Sequence, residues 1–132
     1  MKRIFFGLML LGLFDSNAFA EWTQVTKGTG DFPTAYVDFD SIQKKGNTVK
    51  MWYMLDYKQP KQGPSGTQFS SMLVYSENEC SQRMSRGIGN SFYKLNMGVG
   101  DTIHSDFNVN EWEPVIPGSM GGYMWQIACG KK

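Results

Sequence analysis

Histidine occurs once in the chain, at His104, and Ser105 and Asp106 follow it directly. A hydrolase of the nucleophilic type needs an imidazole to take a hydroxyl proton and a carboxylate to orient the ring. In an extended strand, neighbours point to opposite faces, so His104 and Asp106 would share a face that Ser105 leaves. No nucleophile motif surrounds them, and a solvated strand face accounts for the pair. Glu111 and Glu113 flank Trp112, an arrangement that could floor a sugar site with two carboxylates. An indole packed where the chain approaches a helix explains it more simply. Asp38 and Asp40 have the spacing that opens a calcium loop, but Ile42 takes the next ligand place and no glutamate closes the series. Gly98-Val99-Gly100 is part of a phosphate fingerprint without the helix that must follow it. Neither an enzymatic activity nor a metal or other cofactor is expected.

The chain has two cysteines, Cys80 and Cys129. A redox pair would sit a few residues apart, and a metal would need further ligands than the lone histidine offers. An even pair in an exported chain is most simply a disulfide, because the compartment beyond the inner membrane is oxidising. Closing so long a loop is worth about 4 kcal/mol as an upper figure.

Export is read from the start of the sequence. Lys2 and Arg3 precede an uncharged apolar run from Ile4 to Phe14, and Ala18-Phe19-Ala20 places small residues at the −3 and −1 positions of a cleavage site. The run falls well short of the about 20 residues that cross a bilayer as a helix. Residues 1–20 are therefore expected to be a cleaved signal peptide and residues 21–132 one domain. Removing Lys2, Arg3 and Asp15 leaves a mature chain whose charges balance, against +1 for the whole. With no basic block, nonspecific binding to nucleic acid or to anionic membrane is excluded as its task. No cysteine stands at the cleavage site, so the product is expected to be free of a lipid anchor, and no later stretch is long enough to span a membrane. Aromatic residues at 14% and charged residues at 19% describe a chain that can build a core.

The elements that must position these residues follow from periodicity. Val49, Met51, Tyr53, Leu55 and Tyr57 alternate with Lys50, Trp52, Met54, Asp56 and Lys58, which predicts a long strand ending at Pro60. Residues 60–66 have turn composition, and Phe69 to about Asn78 alternates again, so the two strands form a hairpin. Trp22 to Thr26 and Ala35 to Asp38 are shorter strands. Asp40 is expected to cap a brief turn over Asp40-Ser41-Ile42, and residues 45–47 turn the chain into the long strand. Gly87 and Gly89 interrupt a strand over residues 83–94 and predict a bulge or a close overlying neighbour. A turn at 96–101 leads to a last strand, Thr102 to Asn108. The period then changes: with Ser119 as N-cap, Met120, Tyr123, Met124, Ile127 and Ala128 trace one face of a helix that stops at Gly130, with Lys131 and Lys132 at its negative end. The sum is an α+β domain in which the disulfide ties one terminal helix to an antiparallel sheet.

Surface features carry the functional reading. Trp52 and Met54 lie on the parity opposite the main apolar face and would form a contact patch unless the helix or a partner subunit covers them. Lys58 and Lys61 flank the hairpin tip, where they could touch a partner or blunt a sheet edge. Two unpaired edges also leave a route to a homodimer.

Tyr36-Val37-Asp38 with Ser41-Ile42, residues 46–52, Leu55-Asp56-Tyr57-Lys58, Glu79-Cys80, the stretch from Trp112 to Ser119, and Cys129 together resemble the surface-adhesin protein E family of exported bacterial proteins. The resemblance runs from about Trp22 to Gly130. It implies a six-stranded antiparallel sheet with a C-terminal helix on its concave face, tethered through Cys80 and Cys129, and no catalysis. It also implies adhesion to a host extracellular-matrix protein, or otherwise an envelope partner. Adhesive members look lipid-anchored, and this chain lacks that cysteine, so a periplasmic location stands beside a cell-surface or secreted one. The expected function is a non-enzymatic module acting by protein–protein contact. The alternative is a periplasmic inhibitor or accessory factor of an envelope enzyme, with the 60–67 loop as its wedge.

Overall fold

The computed structural model describes residues 20–130. The expected leader up to Phe19, and the Lys131-Lys132 pair, lie outside the described residues. Eight strands and one helix follow in the order β1 (Thr23–Thr26), β2 (Thr34–Val37), β3 (Gln43–Lys45), β4 (Thr48–Gln62), β5 (Gln68–Glu79), β6 (Met84–Tyr93), β7 (Thr102–Asp106), β8 (Glu113–Pro114) and α1 (Met120–Cys129). The sheet runs β1-β2-β4-β5-β6-β7, with β3 added beside β4 and β8 beside β6. Every pairing is antiparallel.

Pro60 does not end the long strand. β4 continues to Gln62, because its register against β5 shifts between Asp56 and Lys61 and resumes as Lys61 opposite Phe69. Pro60 sits inside that unpaired bulge, where a missing N–H costs no ladder bond. β3 escapes sequence periodicity because Gln43, Lys44 and Lys45 are all polar and exposed. Its hairpin to β4 is made by Gly46 at φ 60°, the conformation a two-residue II′ turn requires at its first position. The turn over Phe39–Ser41 is capped by Asp38 and not by Asp40: Asp38 Oδ1 accepts from the Asp40 N–H at 3.2 Å. β7 ends two residues early, since Asp106 Oδ1 accepts from the Asn108 N–H at 2.8 Å and turns the chain away. It is not the last strand, because Glu113 and Pro114 return to pair with Ser85 and Met84.

The helix begins and ends where its caps put it. Ser119 Oγ accepts from the Gly122 N–H at 3.0 Å, and Gly130 closes the C-terminus at φ 65°. Gly122 is also a packing requirement, for a Cβ there would lie 2.4 Å from the Ile116 carbonyl oxygen. The buried arc is rotated from the expected one. Tyr123 is partly exposed and donates its hydroxyl to Val25 O at 3.0 Å, while Trp125 goes inside and donates its indole N–H to Glu79 O at 3.1 Å. Met124 and Ala128 complete a core with Ala35, Val37, Val49 and Met51. Two buried polar residues of β5 face the same side and are satisfied: Ser76 donates to Met51 O, and Asn78 donates to Val49 O.

Cys80 and Cys129 are joined, 49 positions apart in sequence. The bond fastens the last turn of α1 to the end of β5, as the sequence predicts. Replacing both cysteines by serine should lower unfolding free energy by up to about 4 kcal/mol, read in urea titrations. Amide exchange in α1 should rise before exchange in β4 and β5, because the helix loses its tether while the central hairpin keeps its ladder.

Tyr53 supplies a pH probe of the same layer. It lines a cavity of about 100 Å³ with Ser76, Asn78 and Met124. Burial first, and the neighbouring Tyr57 second, push its phenol up from 10.0 to about 12. The folded value lies above the unfolded one, so the contribution of the neutral phenol is whole below about pH 10 and is lost as pH rises toward 12. Melting temperature should fall across that window, and Tyr53→Phe should flatten the fall.

Candidate interaction surface

The face of the sheet away from α1 is built from the other parity of each strand. Register places one row across it. Trp52 of β4 lies opposite Tyr75 of β5, and Tyr75 opposite Gly89 of β6. On the other side the Asp38 N–H donates to Trp52 O at 3.2 Å, and Trp22 precedes the pairing of Thr23 with Val37. The row therefore reads Trp22, Asp38, Trp52, Tyr75, Gly89. Ser41 fixes its middle, accepting from the Trp52 N–H at 2.9 Å and donating to Asp38 O at 2.6 Å.

Trp52 and Tyr75 stack with ring centroids 4.6 Å apart and planes 13° from parallel. Gly89 carries Phe107, since a Cβ there would meet the Phe107 ring at 2.7 Å. The two strand glycines thus mark both expected features: a register shift falls between Tyr75 and Ser76, opposite Gly89 and Gly87, and a neighbour overlies Gly89. Phe107 itself is 61% exposed.

Above the row, residues 95–101 fold over the sheet. Asp56 Oδ1 accepts from Asn96 Nδ2 at 3.0 Å and from the Met97 N–H at 2.8 Å. Ser71 Oγ donates to Leu95 O at 2.6 Å and accepts from the Gly98 N–H at 2.9 Å. This cover corrects one expectation: Met54 is wholly buried under it and offers no contact surface. Leu95, Met97 and Val99 are left exposed on the outside of the loop.

Below the row, Arg86 lies opposite Glu77. Its Nε is 2.7 Å and its Nη2 2.6 Å from Glu77 Oε1. The Trp112 ring centroid is 4.2 Å from the guanidinium carbon. The carboxylate and the indole hold one cation between them and clamp the 107–115 segment to the sheet.

Among the residues singled out from sequence, Trp52 lies in the row. Lys58 is exposed in the β4 bulge, and Lys61 is 3.5 Å from Asp31 and 5.9 Å from the Tyr57 ring centroid. Both stand toward the hairpin tip and are not gathered with Trp52. Sequence reading missed Trp22, Asp38, Tyr75 and Phe107 as members of one surface. The glycine pair was the only local signal that an aromatic side chain lay across the sheet. The candidate chemistry is not assembled. His104 is exposed with its ring 6.0 Å from that of Phe92, and Ser105 Oγ is bonded to Ser91 Oγ at 2.9 Å. Among the described residues no group of His, Cys, Asp or Glu could hold a metal, and no helix is long and apolar enough to cross a membrane.

A helix tied by a disulfide to one face of an antiparallel sheet, with a half-buried aromatic row on the other, defines a small α+β domain. The chain belongs to the surface-adhesin protein E family, whose profile matches residues 22–130. Its fold is similar to that of Haemophilus influenzae protein E in crystal form II, at TM-score 0.60 and 14% identity over 82% of this chain and 94% of that one. Protein E from non-typeable Haemophilus influenzae is similar at TM-score 0.57 and 14% identity, over 83% and 84%. The selenomethionine form gives 0.58 and 15%, over 83% and 93%. At that identity the likeness is one of fold. A comparison with curated protein sequences finds no match.

The Arg86 clamp gives a stability test. Arg86→Ala strips a partly buried carboxylate of its partner, and should cost about 3 kcal/mol in chemical denaturation. Arg86→Met with Glu77→Gln should recover part of the loss, because no unpaired charge is then left inside.

Proposed function

We propose that this protein is an exported, non-enzymatic binding module that holds a protein partner against the helix-free face of its sheet. The observation that carries the reading is the row from Trp22 to Phe107, half-buried at Trp22, Trp52 and Tyr75 and exposed at Phe107, while α1 and the core close the opposite face. Aromatic side chains on a rigid ladder supply contact area at little cost in side-chain entropy, as interface anchors do. Membership of an adhesin family supports a place at the cell surface and a matrix glycoprotein as partner. A periplasmic place with an envelope protein as partner is the other form of the same reading. Trp52 belongs to the contact, with Lys58 and Lys61 at its margin.

The inhibitor reading rests on a different part of the molecule. The hairpin tip is closed by the Gly63 N–H on Thr67 O at 2.8 Å and the Gly66 N–H on Gly63 O at 3.2 Å, which makes it a stiff projection. The two readings separate by substitution. Mature protein is tested for binding to immobilised matrix glycoproteins and to purified envelope proteins, alongside fractionation of producing cells. Phe107→Glu should weaken binding at least tenfold, while Phe32→Ser on the helix side and shortening of residues 63–67 leave it unchanged. Binding lost only on shortening the tip would favour the inhibitor. Equal binding by Phe107→Glu and the parent would overturn the helix-free face as the contact.

A further inference from the structure

The row contains a charged group, Asp38, that no cation among the described residues neutralises. Asp38 stands between Trp22 and Trp52, and with Leu73 and Ala20 these three line an open hollow of about 230 Å³. Asp38 spends Oδ1 on the cap to the Asp40 N–H. Among the described residues the ion pairs are Lys61 with Asp31 and Arg86 with Glu77, so no cation is paired with Asp38. We infer that this hollow is a receptor for a guanidinium side chain, an arginine of the protein partner, which enters between the two indoles and ion-pairs with Asp38. The inference rests on the helix-free face being the contact surface and names the chemistry recognised there.

The same face holds an occupied version of this arrangement. One row below, the Arg86 guanidinium lies between the Glu77 carboxylate and the Trp112 indole, at 2.6 Å and 4.2 Å. The hollow presents the same pairing of a carboxylate with indoles. A planar guanidinium stacks on an aromatic face while its N–H fork meets a carboxylate. Trp52 is held for that role, because its ring stacks on Tyr75 and its backbone N–H donates to Ser41 Oγ, which fixes its place on the strand. A sugar fits the site poorly. Asp38 is the one charged side chain in the lining, and a cation gains an ion pair there that a neutral sugar cannot form.

The test uses the mature chain beginning at Glu21, from which the expected cleavage has removed Ala20. An acetylated, amidated Gly-Arg-Gly peptide is titrated while the indole N–H signals are followed by NMR. The Trp22 and Trp52 signals should shift saturably and the Trp112 signal should not. The citrulline analogue, which has the same shape and no charge, should bind at least tenfold more weakly. Asp38→Asn should weaken binding by a similar factor; its amide oxygen still caps Asp40, so the turn survives and only the charge is lost. Trp52→Leu, which keeps apolar cover without the π face, should do the same in a chain whose other amide signals are unmoved. Equal binding of arginine and citrulline peptides, or an Asp38→Asn variant that binds as the parent does, overturns the inference. So does a Trp52 signal that ignores the peptide but titrates near pH ~8, the range of an α-amino group, for the chain's own N-terminus then fills the hollow. Partner binding that falls with Phe107→Glu but not with Asp38→Asn leaves the face as the contact and removes the arginine. Partner binding indifferent to Phe107→Glu removes the face.

Discussion

The bond between Cys80 and Cys129 holds down a helix that could not stay on the sheet by its own propensity. α1 has ten residues, two of them Gly121 and Gly122, and each glycine costs about 1 kcal/mol relative to alanine inside a helix. Gly122 cannot be relieved, because the helix begins against the Ile116 carbonyl. Trp125 and the disulfide act at the same end of β5, one through Glu79 O and the other through Cys80. The last turn of the helix is thereby fastened at the start of the β4–β5 ladder, and Met124 and Ala128 are pressed into the core.

A helix so short covers one face and no more, and the other face is completed by different means. The 95–101 loop is pinned by Asp56 and Ser71 and roofs Met54. Arg86 pins the 107–115 segment through Glu77 and Trp112. Between these two covers lies the strip from Trp22 to Phe107, covered among the described residues by aromatic stacking. A core that must be sealed and a surface that can receive a partner thus share a sheet and are separated by its thickness. The alternation of side chains along each strand makes this possible, since one strand serves both faces without compromise.

The polar residues singled out from the sequence are placed apart and serve local structure. His104 and Asp106 share a face at the sheet edge, but Asp106 is committed to ending β7 and Ser105 to bonding Ser91 across the strands. Glu113 lies in β8, beside an indole already engaged with Arg86. Asp106 and Ser105 are thus occupied in ending a strand and in joining two strands.

Much of the fold is written locally. Alternation in β4 and β5, the Ser119 cap, the stop at Gly130 and the single cysteine pair each depend on residues within a turn or a strand of one another, or on there being one pairing to make. Those features the sequence by itself determined. The bulge at Pro60, the three polar residues of β3 and the return of β8 to β6 depend on whether a distant strand offers a partner, which no local pattern encodes. The row Trp22, Asp38, Trp52, Tyr75, Gly89 is the sharpest case. Its members come from five segments, and register between them decides that they meet. A shift of one residue in any pairing would carry that strand's member to the other face. Only the tertiary structure could therefore decide that an acid stands between two indoles.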